Sequence, residues 1–296
     1  MSNGRDLLGY GAEPPQVDWP GGAKVAVSVV VNVEEGAELS ILDGDERNEA
    51  TYEKREEVVG TPDPCMTSHF GYGTRRGYWR VAETLADHGI LATFSTCGRA
   101  AATSPWLIRD VVARGHEVSC HGWRWESHAG MTVDAEREVI ARTHATLTEI
   151  AGTPPVGWHT RSASTPMTRQ LLIEHGGFLY DSDAYDDDLP YLVPAGTKPH
   201  VVMPYAFDTN DMRFAPGAGF VQGEDFSRYC LTAYDRLLRE GRGAMLSIGL
   251  HLRFIGRPAR IGALDDILAG IKSRGGAWFA PRKEIAEFWR EAVSTQ

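Results

Sequence analysis

The sequence predicts an α/β fold of seven or eight strand–helix units curled into a closed or nearly closed barrel. Short β-branched runs alternate with amphipathic helical stretches, and most connections between them are short. The strand runs are apolar throughout, as parallel strands covered on both faces require. The length, 296 residues, suits such a barrel, and 42% apolar content supplies a sizeable core. A doubly wound open sheet has the same periodicities, so pattern alone leaves both arrangements open.

The first element is "KVAVSVVVNV" (24–33), a buried strand bounded by glycine and then by charge. A polar stretch, 36–75, containing "ILDGDERNEA" and "GTPDPC", is expected to be a long functional loop. Helical spacing then links Tyr78, Val81, Ala82 and Leu85, and Gly89 stops the helix. "LATFSTC" (91–97) is a strand, and "PWLIRDVVARG" (105–115) a helix opened by proline and closed by glycine. "EVSCHG" (117–122) is a strand, and 134–150 a helix with Val139, Ile140, Leu147 and Ile150 on one side. A short strand, "VGWHTR" (156–161), precedes the helix 166–177. "FLYDSDA" (178–184) and "HVVMPYAF" (200–207) are strands, and Phe226, Cys230, Ala233 and Leu237 mark a helix. "AMLSIGLH" (244–251), a helix at 261–274, "AWFAP" (277–281) and a last helix complete the chain. No composition break or repeat divides it, so residues 1–23 are expected to be an arm and 24–296 one catalytic domain.

A net charge of −10 lacks the basic footprint of a nucleic-acid binder and suits anionic membranes poorly. The longest apolar run, "VAVSVVVNV", is too short to cross a bilayer, and no secretory signal is visible. Four scattered cysteines form no CxxC pair, which points to free thiols in a reducing cytoplasm.

Titratable residues gather where strands end. Glu34 and Glu35 follow the first, His121 the third, His159 and Arg161 the fourth, Asp181 and Asp183 the fifth. Asp208 and Asp211 follow the sixth, and His251 and Arg253 the seventh. In a parallel barrel these ends share one face, the face that carries active sites. Each residue has an ordinary alternative: Glu34–Glu35 as a solvated loop start, His121 as a satisfied core histidine, Arg161 as a structural ion pair. Their recurrence at strand ends favours function. The run Asp186–Asp188 is most simply a solvated turn.

Residues 24–285 resemble the polysaccharide deacetylase (NodB-type) family, which implies a distorted (β/α) barrel, NodB-like. "VEEG" stands for the family's double aspartate, "HGWRW" for its H-x-x-x-H, "HTRSAST" for its arginine motif and "IGLH" for its last histidine motif. The segments "VVNVEEGAELSILDGD", "YGTRRGYWR", "CHGWRW", "DSDAYDDDLPY", "DTNDMRF" and "LSIGLHLRFIGRPAR" are similar to the branch containing metal-independent allantoinase, cyclic imide hydrolases and some peptidoglycan deacetylases. That branch commonly has glutamate where this chain has Gly71.

The resemblance implies a hydrolase of carbon–nitrogen bonds opening a small cyclic amide or ureide. Glu34 or Glu35 would be the general base, His121 an oxyanion stabiliser, His251 the general acid and Arg161 a substrate anchor. Trp123, Trp125, Tyr72, Asp183, Tyr185 and Tyr191 are the expected substrate-binding residues. The metal version of the family holds zinc through a carboxylate and two histidines. Here Trp125 replaces the second histidine, and an indole nitrogen only donates. The expectation is therefore no cofactor, or a weak zinc site at Glu35 and His121, with His69, His128 and His159 as conceivable further ligands. A metal-dependent deacetylase of N-acetylated sugars and a non-catalytic binder are the alternatives. The resemblance also implies a homo-oligomer, tetramers being common in the family.

Overall fold

The computed structural model describes residues 7–50, 56–161, 163–217 and 219–294. The strands are β1 (Val25–Val33), β2 (Thr93–Thr96), β3 (Glu117–Cys120), β4 (Gly157–Trp158), β5 (Tyr180–Asp181), β6 (Tyr191–Val193), β7 (His200–Val202), β8 (Ala244–His251) and β9 (Ala277–Phe279). They form one curled sheet, ordered β6-β7-β5-β4-β3-β2-β1-β8, with β9 pairing the start of β1. Every ladder is parallel except β6–β7. The helices are α1 (Pro64–Tyr72), α2 (Tyr78–Asp87), α3 (Gly98–Thr103), α4 (Pro105–Ala113), α5 (Val133–Ala151), α6 (Thr168–His175), α7 (Gly223–Glu240), α8 (Leu252–Ile255), α9 (Pro258–Arg274) and α10 (Arg282–Ser294).

β1 is the spine, and all nine of its residues are buried. Its β-branched side chains pack on both faces, which is why an unbroken apolar run forms a strand here. The register levels the strand ends. Val33 pairs Thr96, Thr96 pairs Cys120, Cys120 pairs Trp158, and Trp158 pairs Asp181. The residues immediately after them include Glu34, His121 and His159, so all three stand on one rim. Asn32 pairs His251 and brings the end of β8 to the same level.

The ladder does not close into a full barrel. Beyond β7 the chain returns to β8 through a bridge between Asn210 and Gly249 and a hydrogen bond from Thr209 Oγ1 to Ser247 O. The Arg282 guanidinium fills the interior between these edges, donating to Ser182 Oγ, Ser247 Oγ, Met203 O and Pro204 O.

The expected loop 36–75 is not loop throughout, because α1 occupies its end. "GTPDPC" opens this helix: Asp63 accepts the Met66 N–H, and Pro64 takes the first turn, where its missing N–H costs nothing. The antiparallel β6 and the short α3 and α8 are additions, each too brief to leave a periodic signal. In the arm, Val17 donates to Arg242 O, and Trp19 packs against Trp278, Phe288 and Trp289. Residues 1–6 lie outside the described residues. Among the described residues no helix is long and apolar enough to cross a membrane.

Candidate active site

The rim carries a buried charge cluster centred on Glu34, which is 1% exposed. Its Oε1 lies 3.5 Å from His121 Nε2 and 3.3 Å from His251 Nε2, yet makes no hydrogen bond within the protein. Its Oε2 accepts from Arg253 Nη1 at 2.5 Å. Burial alone would push the Glu34 carboxyl up, but Arg253, then His251 and His121, hold it well below the usual carboxylate range.

Each imidazole is fixed from behind. His121 Nδ1 is 2.7 Å from the His159 carbonyl, which can only accept. Nδ1 therefore carries a hydrogen, and Nε2 is the ring nitrogen turned toward Glu34. His251 Nδ1 is 2.6 Å from Asp211 Oδ1, while Asp211 Oδ2 accepts the backbone N–H of His251 and of Ile255. Burial would lower the His251 pKa, but Glu34 and Asp211 outweigh it and raise it to about 9. His251 is thus an imidazolium at neutral pH with Nε2–H aimed at Glu34. Glu34 Oε1 and the Nε2 atoms of His121 and His251 thus converge on one point of the cleft.

Glu35 lies outside the cluster. Its Oε2 accepts the Glu34 N–H, and its Oε1 packs so tightly on Gly73 that a Cβ there would stand 2.1 Å away. Burial, opposed by Arg253 and assisted by Glu34, pushes its carboxyl up to about 7. The neighbouring glutamates point apart, as successive side chains at a strand end do.

Arg161 lines the cleft. It stacks on the Trp125 ring at 3.5 Å and donates to Trp125 O and to the buried Glu49. Trp125 also lines the cleft, and Tyr185 stands at its mouth, stacked on Phe207 with ring centroids 3.9 Å apart. Four expected substrate contacts point elsewhere. Trp123 packs on Gly98 beneath Arg142. Tyr72 meets Arg80, the Gly256 carbonyl and Arg257. Asp183 is spent on the N–H and hydroxyl of Thr160, and Tyr191 lines an outer acidic groove. Asp211, Arg253, Asn32 and Tyr205 complete the site. Asp211 and Arg253 were legible only as strand-end charges, and Asn32 as the lone amide within an apolar strand.

The expected ligands do not come together as a carboxylate–histidine metal centre. Glu35 is turned onto Gly73, and the Trp125 ring faces the guanidiniums of Arg161 and Arg253. His128 Nδ1 lies against the buried Glu136, and His69 Nδ1 against Arg257. His159 stacks on His121, but its Nε2 faces Tyr185. Among the described residues no group of three or more His, Cys, Asp or Glu side chains is arranged to hold a metal ion.

Residues 59–176 match the family model for polysaccharide deacetylase. A Schizosaccharomyces pombe protein named "Putative polysaccharide deacetylase" is 34% identical, with 98% of each chain covered. A peptidoglycan deacetylase of Helicobacter pylori is 26% identical over 77% of this chain and 88% of its own. The crystal structure of Puue allantoinase superposes with a TM-score of 0.93 at 44% identity, covering 98% of both chains. The chain belongs to the polysaccharide deacetylase family, whose members are hydrolases of carbon–nitrogen bonds other than peptide bonds.

Proposed function

We propose that this hydrolase opens a small cyclic amide or ureide, with Glu34 as general base and His251 as general acid. The observation that carries the reading is the placement of Glu34 Oε1 between the Nε2 atoms of His121 and His251, at 3.5 and 3.3 Å. A water held by Glu34 Oε1 and His121 Nε2 attacks the ring carbonyl carbon, and its proton passes to Glu34. The C–N bond then breaks, and the departing nitrogen takes the Nε2 proton of His251. The products are a carboxylic acid and a freed N–H, so the atoms of amide and water are accounted for. Arg161 holds a second carbonyl of the substrate. His121 becomes an oxyanion donor only when protonated.

The cleft over Glu34 has a volume of ≈ 40 Å³, room for a few waters. It favours a compact ring that displaces Tyr185 or Phe207 over a sugar polymer. The likeness to an allantoinase over the whole chain supports the same substrate class. Free cysteines, three of them buried, suit a reducing cytoplasm. No metal or cofactor is assigned to the reaction, and assembly as a homo-oligomer is part of the proposal.

The test is turnover by the purified protein of allantoin, hydantoin, succinimide, dihydrouracil and a chitooligosaccharide. Ring opening of at least one cyclic compound is expected. Activity confined to the N-acetyl sugar would establish the deacetylase reading instead, the activity that the Helicobacter relative's name carries.

A further inference from the structure

Arg253 is the least expected member of the cluster. It follows β8 on α8, is 1% exposed, and puts Nη1 on Glu34 Oε2. Its guanidinium lies 4.4 Å from the Phe70 ring centroid, 4.8 Å from that of Trp125 and 5.0 Å from that of Phe254. Aromatic faces from α1, the segment after β3 and α8 thus surround a buried cation. This packing explains Trp125 in structural terms. The position that would carry the second histidine of H-x-x-x-H instead presents a ring face to a guanidinium. Glu34 is faced by Arg253 and His251 from the end of β8, by His121 from β3, and by its neighbour Glu35.

We propose that Arg253 is the built-in cation of this centre, a positioning residue that aims Glu34 at the two imidazoles and excludes a divalent metal from them. A metal bound to Glu34, His121 and His251 would stand beside a desolvated guanidinium in a low-dielectric site, where like charges repel strongly. The same guanidinium saturates Oε2, leaving Oε1 as the one oxygen free to take a proton. Arg253 thereby does two jobs that a metal-dependent centre gives to its ion: it fixes the carboxylate and it balances its charge. The catalytic half of the proposal rests on the ring-opening reading above. The metal half stands on geometry alone.

Zinc binding by equilibrium dialysis tests it without reference to any substrate. The wild-type protein and Arg253→Lys are expected to bind no zinc at micromolar concentration. Arg253→Gln is expected to take up about one equivalent, lost again in Glu34→Gln/Arg253→Gln, because Glu34, His121 and His251 can then draw together on the ion. Where a cyclic substrate is turned over, Arg253→Gln without zinc should lower kcat roughly 100-fold with KM little changed, and Arg253→Lys should restore part of it. Should Arg253→Gln not fold, Trp125→His decides the matter. It rebuilds the histidine pair while leaving the cation in place, and is expected still to refuse zinc. Tight zinc binding by the wild type or by Trp125→His would overturn the proposal, as would an Arg253→Gln protein with wild-type kcat and no zinc uptake. A wild type inactive on every cyclic compound would count against the ring-opening reading while the zinc measurement still decided the role of Arg253.

Discussion

Two arginines are buried among the described residues, and they have opposite surroundings. Arg282 is 2% exposed in the barrel interior and donates to four neutral oxygens: two serine hydroxyls and two backbone carbonyls. Burial pulls its pKa down, against the pull of Tyr180, Tyr205 and Glu117. Arg253, at the rim, pairs with the Glu34 carboxylate and lies against aromatic faces. The first spreads its charge over a hydrogen-bond cage that ties β5, β7 and β8 together. The second holds one oxygen of the Glu34 carboxylate and leaves that carboxylate's other oxygen without a hydrogen bond in the protein. A cage satisfies every partner and makes structure. The rim pair leaves one acceptor open, as a reacting centre must.

The comparison breaks most readily at Glu34. Glu34→Gln keeps the shape but removes the proton acceptor and the charge that Arg253 and His251 face. Ring-opening kcat should fall roughly 10³-fold, with far-ultraviolet circular dichroism unchanged. A variant retaining more than a tenth of wild-type turnover would remove Glu34 from the base role.

At the other arginine the damage should fall on stability. Arg282→Met removes the donors and strands four buried acceptors, costing about 3 kcal/mol by analogy with other broken buried networks. Urea denaturation should show the midpoint moving down while kcat of the folded fraction stays near wild type. Loss of activity without loss of stability would erase the distinction between cage and site.

The pH dependence sharpens the rim's side of the comparison. His251 has its pKa raised to about 9, above the ordinary histidine value. Its contribution to stability is therefore fully present below the unfolded-state pKa of roughly 6.5 and lost as pH rises through about 9. The same deprotonation removes the general acid, so kcat should drop about tenfold per pH unit beyond that limb. Asp211→Asn should move the limb to lower pH, because Asp211 is one of the two charges that raise it. A limb unmoved by that change would mean that another group is titrating.

Much of this was legible in the sequence. The β1 and β8 runs and the glycine-stopped helices announced a parallel sheet, and the strand-end residues Glu34, His121 and His251 do converge. What stayed hidden depended on direction and on distance along the chain. Sequence alone does not say which of two adjacent glutamates turns inward, because the register of β1 and the π-helical turn Gly73–Gly77 decide it. The pairing of Arg253 with Glu34 spans 219 positions, and that of Asp211 with His251 spans 40. Trp123 and Trp125, two residues apart, diverge to α5 and to the cleft, which composition cannot foresee.

The smallest expected effect is the most discriminating within the glutamate pair. Glu35 shares burial with Glu34 but not its position, its Oε1 facing Gly73 rather than an imidazole. With its carboxyl pushed up to about 7, about half the molecules already carry it neutral at that pH. Glu35→Gln substitutes an isosteric neutral group for one that is often neutral already, and its amide suits the same pocket. Turnover should therefore fall no more than about threefold near pH 7, less than half a pKa unit's worth of free energy. A loss comparable to that of Glu34→Gln would show that Glu35 swings toward the imidazoles during the reaction. It would also return the choice between the two carboxylates to the open state in which the sequence leaves it.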